Sequence, residues 1–318
     1  MSRFVVCGTL AVCVLGVLGA AGQEETVFRT RGDLVRVFVT VTDRDGRLVT
    51  TLAKDDFELR DEGKAQPITV FDNTPQPIRL VVMLDVSGSM DGNLPLLRAA
   101  AEQLFVRLRP DDVVRVGTFG AEVVISEAFT RDIDQLRAAL PVAIEGNAPT
   151  PLWRGIDEAF KAFGDDDSEM RRVVLVLSDG KDSGPTSFRT TFVSQAEVID
   201  RARDQNVMVY AIGMRSRGQQ RVPRGGIGRG SLQEMLTADL PDPGLARVAE
   251  ESGGGYLEIN FGQDLGAAFA RVADELHSQY LLGFAPPKRD GKAHDVEVKV
   301  SQRGMKARAR KTYVAPKD

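Results

Sequence analysis

The sequence predicts an α/β fold, a doubly wound and mostly parallel sheet, flanked by a small β-sandwich built from the N- and C-terminal strands. Apolar runs such as Arg79–Leu84 and Arg172–Leu177 are typical of strands buried on both faces. Segments with helical spacing alternate with such runs over about 200 residues, as in parallel α/β sheets. The segments on either side of this region read instead as half-buried strands.

The N-terminal 22 residues are typical of a secretion signal. Arg3 precedes an uncharged stretch from Phe4 to Ala21, and residues 20–22 are small, which suits cleavage before Gln23. The alternative is an uncleaved membrane anchor, but glycines within the stretch and its small-residue end favour cleavage. No other segment is apolar enough to cross a membrane. We therefore expect a secreted, periplasmic or cell-envelope protein with no transmembrane span after cleavage.

Residue types exclude several kinds of chemistry. Both cysteines, Cys7 and Cys13, lie in the signal, so the mature chain would have no disulfide, cysteine nucleophile or thiolate metal site. The chain has only two histidines, His277 and His294, which excludes histidine-rich metal sites. A net charge of −4 gives no overall case for binding nucleic acid.

The N-terminal segment 23–76 and the C-terminal segment 280–318 are predicted to form one sandwich, because neither has enough strands to bury a face alone. Asp45-Gly46 predicts a hairpin turn, and residues 74–77 a linker. The predicted strands are 33–42, Asp56–Arg60, Pro67–Phe71, Tyr280–Phe284, His294–Val300 and Met305–Thr312.

Residues 77–279 are predicted to form the α/β domain between these segments. The predicted strands are Arg79–Leu84, Val113–Phe119, Glu122–Ser126, Arg172–Leu177, Val207–Gly213 and Gly255–Ile259. The predicted helices are Leu94–Leu108, Asp132–Leu140, Leu152–Phe163, Thr190–Asp204, Gly244–Glu251 and Leu265–Leu276.

The first strand of this domain ends in a turn rich in oxygen ligands. Asp85, Ser87 and Ser89 occupy alternate positions there, so three oxygens can face one point. Hard oxygen ligands suit magnesium, manganese or calcium. Helix capping is the simpler interpretation of these residues taken alone.

Two further loops are predicted at the same edge of the sheet. Asp179 follows the strand Arg172–Leu177, and Thr150 directly precedes a helix. A turn would explain Asp179-Gly180, and capping would explain Thr150. Ligands of open α/β sheets bind outside the carboxyl ends of the strands, so we expect the three loops to converge.

This pattern resembles the metal-ion-dependent adhesion site of von Willebrand factor type A domains, which have a Rossmann-like sheet. That family carries Asp-x-Ser-x-Ser, a distant Thr and a later Asp, and the residues that match in order are Asp85, Ser87, Ser89, Thr150 and Asp179. The flanking segments resemble those of acidobacterial-type VWFA-related secreted proteins. Pro149 and Pro151 bracket Thr150, where small residues are commoner, which predicts a stiffer loop.

The resemblance implies a non-enzymatic recognition or adhesion module that binds a divalent cation, Mg²⁺ before Mn²⁺ or Ca²⁺. It implies a protein partner that presents an exposed Glu or Asp to the cation. One alternative is a metal-dependent hydrolase, although neither histidine is expected near the cation. Asp179 could act as a base, but hydrogen-bonding a metal-bound water is its simpler role. The other is a scaffold in which the metal serves only stability.

Three other charged segments have simpler interpretations than a binding site. Asp43–Gly46 lacks the oxygens of a calcium loop and predicts a hairpin turn. The arginine- and glycine-rich segment Arg215–Gly230 predicts a surface loop rather than an anion site. Asp165–Asp167 predicts a solvated loop.

Overall fold

A computed structural model describes residues 34–164, 170–184, 191–215, 240–260 and 264–317. The predicted signal, most of the arginine-rich segment 215–230 and the run Asp165–Asp167 lie outside these residues. Within the described ranges, no helix is long and apolar enough to span a bilayer.

The chain forms strands at both ends and alternates strands with helices between them. The strands are β1 (Val35–Thr42), β2 (Phe57–Asp61), β3 (Lys64–Gln66), β4 (Val70–Asp72), β5 (Ile78–Asp85), β6 (Val113–Phe119), β7 (Val123–Ile125), β8 (Arg171–Ser178), β9 (Val207–Arg215), β10 (Tyr256–Asn260), β11 (Tyr280–Phe284), β12 (Ala293–Val300), β13 (Lys306–Arg308) and β14 (Thr312–Val314). The helices are α1 (Leu94–Phe105), α2 (Ile133–Ala138), α3 (Leu152–Lys161), α4 (Gln195–Asp204), α5 (Gly244–Ser252) and α6 (Leu265–Leu276).

The central sheet has six strands in the order β10-β9-β8-β5-β6-β7. All neighbours pair in parallel except β6 and β7, which form the hairpin predicted around Gly120. The mixed α/β architecture with a mostly parallel sheet is therefore confirmed. The carboxyl ends of its parallel strands lie at one edge, where the predicted ligand loops begin.

Alternation along β5 explains why the sheet carries helices on both faces. Leu80, Val82 and Leu84 belong to the core beneath α1, α2 and α6. Val81 and Met83 belong to the core beneath α3, α4 and α5. All eight residues of β5 are buried, as the continuous apolar run predicted.

Strands from the two ends of the chain form two antiparallel sheets that share one core. One sheet has the order β13-β1-β11-β4, and the other has the order β14-β12-β2-β3. In the first, β1 pairs with β11, so that Val39 opposes Tyr280. The alternate valines of β1 are buried in the core between the sheets, together with Leu282 and Tyr313. Residues of both terminal segments therefore contribute to one core.

The strand predicted at Met305–Thr312 is interrupted. Residues 306–308 pair with β1 in one sheet, and residues 312–314 pair with β12 in the other. The chain crosses between the sheets at residues 309–311, which a continuous alternating pattern does not reveal. The short strand β3, which pairs with β2, was also missed.

A buried polar seam joins the α/β domain to the sandwich. The Glu275 carboxylate near the end of α6 forms an ion pair with Arg308 of β13 and accepts a hydrogen bond from Tyr210 Oη at 2.7 Å. Gln279 Nε2 donates to Thr40 Oγ1 of β1 at 2.8 Å. Only residues 277–279 separate α6 from β11, so the two parts are connected covalently and by side chains at the same place.

Candidate metal centre

The turn after β5 holds Asp85 in a fixed orientation. This aspartate is fully buried, and its Oδ1 accepts a hydrogen bond from the Ser87 backbone N–H at 2.9 Å. A single 3-10 turn, Gly88–Met90, then brings Ser89 Oγ to 3.1 Å from Ser87 Oγ. The turn therefore places two hydroxyl groups side by side next to a buried carboxylate.

The end of β8 supplies the second carboxylate. Asp179 is fully buried, and its Oδ1 accepts a hydrogen bond from Ser89 Oγ at 2.6 Å. Ser178 Oγ donates to Asp85 Oδ2 at 2.5 Å, so both oxygens of Asp85 are engaged. Sequence reasoning missed Ser178, whose only signal is its position between a buried strand and Asp179.

The loop that carries Thr150 is tied to the loop after β8. The Thr150 backbone N–H donates to Ser183 Oγ at 3.0 Å, and the Ser183 N–H donates to the Thr150 carbonyl at 3.0 Å. A Cβ built on Gly180 would lie 3.0 Å from Thr150 Oγ1, so the threonine side chain rests on that glycine. Thr150 is buried and lies beside the loop of Asp179.

The Thr150 loop also approaches the turn after β5. The Gly88 N–H donates to the Ala148 carbonyl at 3.0 Å. A Cβ at Gly88 would lie 2.4 Å from the Gly146 carbonyl oxygen, so only glycine allows this approach. The three loops that carry the predicted ligands are thus joined by hydrogen bonds at one edge of the sheet.

The two aspartates create an uncompensated negative charge. Burial, followed by the charge of Asp179, raises the pKa of Asp85 to about 7. Burial also raises the pKa of Asp179, and its Oδ2 is buried with no hydrogen-bond partner in the described part of the chain. Buried carboxylates require a partner charge. An orphaned oxygen beside hydroxyl groups fits a hard divalent cation, which all-oxygen surroundings suit.

The predicted ligand set contains no histidine or cysteine. Among the described residues, no group of three or more His, Cys, Asp and Glu side chains is arranged to hold a metal ion. The predicted ligands are two carboxylates and three hydroxyl groups. Such a set suits magnesium or calcium better than metals that prefer imidazole or thiolate ligands.

Both histidines lie away from this edge. His277 Nε2 is 2.8 Å from Asp112 Oδ2, at the amino end of β6. His294 contacts Asp61 and Asp290 in the sandwich at 3.2 and 3.1 Å. Neither imidazole can transfer a proton at the candidate metal centre.

Comparisons with known proteins agree with this architecture. The family model described as von Willebrand factor type A domain matches residues 80–236. A search of curated proteins found no match.

Several solved structures are similar to this chain at low sequence identity. The conserved hypothetical protein BatB from Bacteroides thetaiotaomicron is 15% identical, with 63% of this chain and 98% of that chain covered and a TM-score of 0.46. Proximal thread matrix protein 1 from the mussel byssus, with a zinc-occupied MIDAS motif, is 17% identical over 69% of this chain and 50% of that chain, with a TM-score of 0.47. A von Willebrand factor type A protein from Catenulispora acidiphila is 13% identical over 92% and 76% of the two chains, with a TM-score of 0.46. Residues 80–236, which include all five predicted metal ligands, thus belong to the von Willebrand factor type A domain family.

Proposed function

We propose that this chain is an exported, metal-dependent protein recognition module. A divalent cation, Mg²⁺ before Mn²⁺ or Ca²⁺, would be held by an all-oxygen set: Asp85, Ser87, Ser89, Thr150 and Asp179. The observation that carries the proposal is a pair of buried aspartates that no cationic side chain among the described residues compensates, and one of them has a buried oxygen without a hydrogen-bond partner there. Export rests on the secretion signal predicted at residues 1–22.

The surrounding hydrogen bonds prepare the carboxylates for this role. Asp85 is fixed by the Ser87 N–H and Ser178 Oγ, and Asp179 is fixed by Ser89 Oγ. Neither carboxylate has to reorient to face the shared hydroxyl groups. A preorganised site loses less conformational entropy when it binds.

A bound cation would supply residual positive charge and an open coordination position for a carboxylate from outside. Hard divalent cations prefer oxygen, and only two of the five proposed ligands, Asp85 and Asp179, are carboxylates. The partner is therefore expected to present an exposed Glu or Asp. A charge-assisted contact of this kind contributes up to about 3 kcal/mol.

Recognition is favoured over hydrolysis because, in the described part of the chain, the site has no imidazole to transfer a proton. Both histidines of the chain lie elsewhere. Assays on generic phosphate and ester substrates in the presence of Mg²⁺ would reveal a hydrolase. Activity that disappears with chelator would replace the recognition proposal.

The direct test compares capture of envelope or medium proteins by the immobilised chain in Mg²⁺, in chelator, and with an Asp85→Ala variant. We expect captured partners to be lost in chelator and in the variant, with affinities reduced up to about 100-fold. Asp134→Ala, which removes an exposed carboxylate from α2, is the matched control and should capture normally. Equal capture in all conditions would contradict a role for the metal in recognition. The alternative of a scaffold in which the metal serves only stability would then remain.

A further inference from the structure

A small cavity lies where the α/β domain meets the sandwich, at the opposite end of the molecule from the candidate metal centre. It has a volume of about 20 Å³ and is lined by residues of β1, β8, α4 and β9 and by residues near β14. Four arginines line it: Arg36, Arg171, Arg203 and Arg310. No aspartate or glutamate is among the described residues of its lining.

Two of these arginines are fixed by hydrogen bonds, and each keeps one N–H donor without a partner among the described residues. Arg171 is only 6% exposed; its Nη2 donates to the Leu276 carbonyl at 2.5 Å and its Nη1 contacts the Gln279 side chain. Arg310 donates from Nη1 to Asn206 Oδ1 at 2.6 Å and from Nη2 to the Arg36 carbonyl at 2.7 Å. In both, the Nε atom is buried with no hydrogen-bond partner among the described residues.

Neither guanidinium group contacts a carboxylate among the described residues, although the charge of Asp112 acts on Arg171 from a distance. Within the described residues, Arg171 and Arg310 form no ion pair, whereas Arg203 pairs with Asp200 and Asp204 on its own helix. Burial lowers the pKa of both groups to about 10, so both remain charged at neutral pH. A buried charge is costly unless an opposite charge accompanies it. Neutral carbonyl and amide oxygens satisfy some donors but do not balance two positive charges.

The size of the cavity limits what can balance them. One water molecule needs roughly 10–15 Å³ of cavity volume. This cavity therefore holds one or two atoms or molecules of the size of water. A chloride ion fits this volume, whereas phosphate, sulfate and nucleotides are too large. The described residues of the lining supply hydrogen-bond donors and no negatively charged group.

We propose that this cavity binds one small inorganic anion of the size of chloride, which links Arg171 of the α/β domain to Arg310 of the sandwich. The anion is a counter-ion in the seam between the two parts, and it acts independently of any metal at the other edge. Because it satisfies a donor from each part, its loss weakens their attachment.

The test measures thermal unfolding of the full chain in sodium chloride and in sodium gluconate at equal ionic strength, with chelator present throughout. Gluconate is too large for the cavity, so the comparison separates site binding from general screening. We expect the Tm to be at least about 2 °C higher in saturating chloride than in gluconate. Arg310→Met should abolish this difference.

Arg137→Met is the matched control, because it removes a positive charge from the exposed surface of α2 and should keep the chloride effect. A second measurement covers the case in which Arg310→Met fails to fold. Crystals of the unmodified chain soaked in bromide should show an anomalous peak within hydrogen-bonding distance of Nε of Arg171 and Arg310. Equal Tm values in the two salts, or no such peak, would overturn the proposal.

Discussion

Ser178 shows how much one hydroxyl group can contribute to the candidate metal centre. Its Oγ donates to Asp85 Oδ2, while the backbone N–H of Ser87 donates to Asp85 Oδ1. Because both oxygens accept hydrogen bonds, the carboxylate has one orientation before any cation arrives. Ser178 is thus proposed as a positioning residue, distinct from the proposed ligands Ser87 and Ser89.

Ser87 allows a test in which only a side-chain oxygen is lost. In Ser87→Ala the backbone N–H still donates to Asp85, so the turn should remain folded. We expect magnesium to bind about tenfold more weakly, as measured by calorimetry, because one neutral ligand is missing. Ser278→Ala, which removes an exposed hydroxyl group beyond α6, should bind magnesium normally. Unchanged affinity in Ser87→Ala would remove this residue from the proposed ligand set.

At the scale of elements, Asp112 joins three segments at the amino edge of the central sheet. Its Oδ1 accepts a hydrogen bond from the Ile78 N–H at the start of β5, at 3.0 Å, and its Oδ2 accepts one from the Arg109 N–H at 2.7 Å. Oδ2 also contacts His277 Nε2, just beyond the end of α6. The first strand and the last helix of the α/β domain are therefore fixed to one carboxylate.

Asp112 should make stability depend on pH in the acid range. Burial raises the pKa of Asp112, but hydrogen bonds from His277 and the two backbone N–H groups outweigh this effect and lower it below 3.8. The folded state therefore binds the proton less readily than the unfolded state. The resulting stability is present above pH 3.8 and is lost as the pH falls through the lowered pKa.

The variant Asp112→Asn tests this dependence. At pH 7 we expect it to lower the free energy of unfolding in urea by roughly 1–3 kcal/mol, and the difference from the unmodified chain should narrow below pH 3.8. Asp134→Asn, on the exposed surface of α2, is the control and should change little at either pH. A deficit that stayed constant from pH 7 to pH 3 would show that the charge of Asp112 is irrelevant.

At the scale of the whole molecule, the α/β domain is inserted into the sandwich. The two ends of the α/β domain, Ile78 and His277, both contact Asp112. The strands β1 and β11, which lie before and after the domain in the sequence, pair with each other. The described part of the N-terminal segment has four strands, and its apolar face is completed by β11–β14. Neither segment buries a core without the other.

Deletion of residues 284–318 should therefore unfold the sandwich rather than merely shorten the chain. We expect residues 34–76 to become sensitive to limited proteolysis, while the α/β domain stays protected. Removing only residue 318, which keeps the bridge between Asp290 and Lys317, is the control and should leave the pattern unchanged. Equal protection of residues 34–76 after both deletions would mean that the N-terminal strands are stable alone.

The elements of the α/β domain were predictable because apolar periodicity is a local signal. The eight buried residues of β5 and the hairpin at Gly120 follow from sequence spacing alone. The contacts of Ser178 and Arg310 were not predictable, since Ser178 lies 93 residues from Asp85, and Arg310 lies 104 residues from Asn206. Side-chain partners at such separations depend on the completed topology. The ligand set from Asp85 to Asp179 depended on a family resemblance as well as on strand ends.

The pairing of β1 with β11 also constrains the order in which the chain can fold. Val39 and Tyr280 are 280 − 39 = 241 residues apart, so in an unfolded chain their encounter closes a very long loop. Once the α/β domain has folded, Ile78 and His277 are held at the same aspartate, and about 40 flexible residues remain to be closed. The entropic cost of closure falls by about 1.5 kcal/mol. We therefore expect the inserted domain to serve as the template on which the sandwich assembles last, after the C-terminal strands have been synthesised.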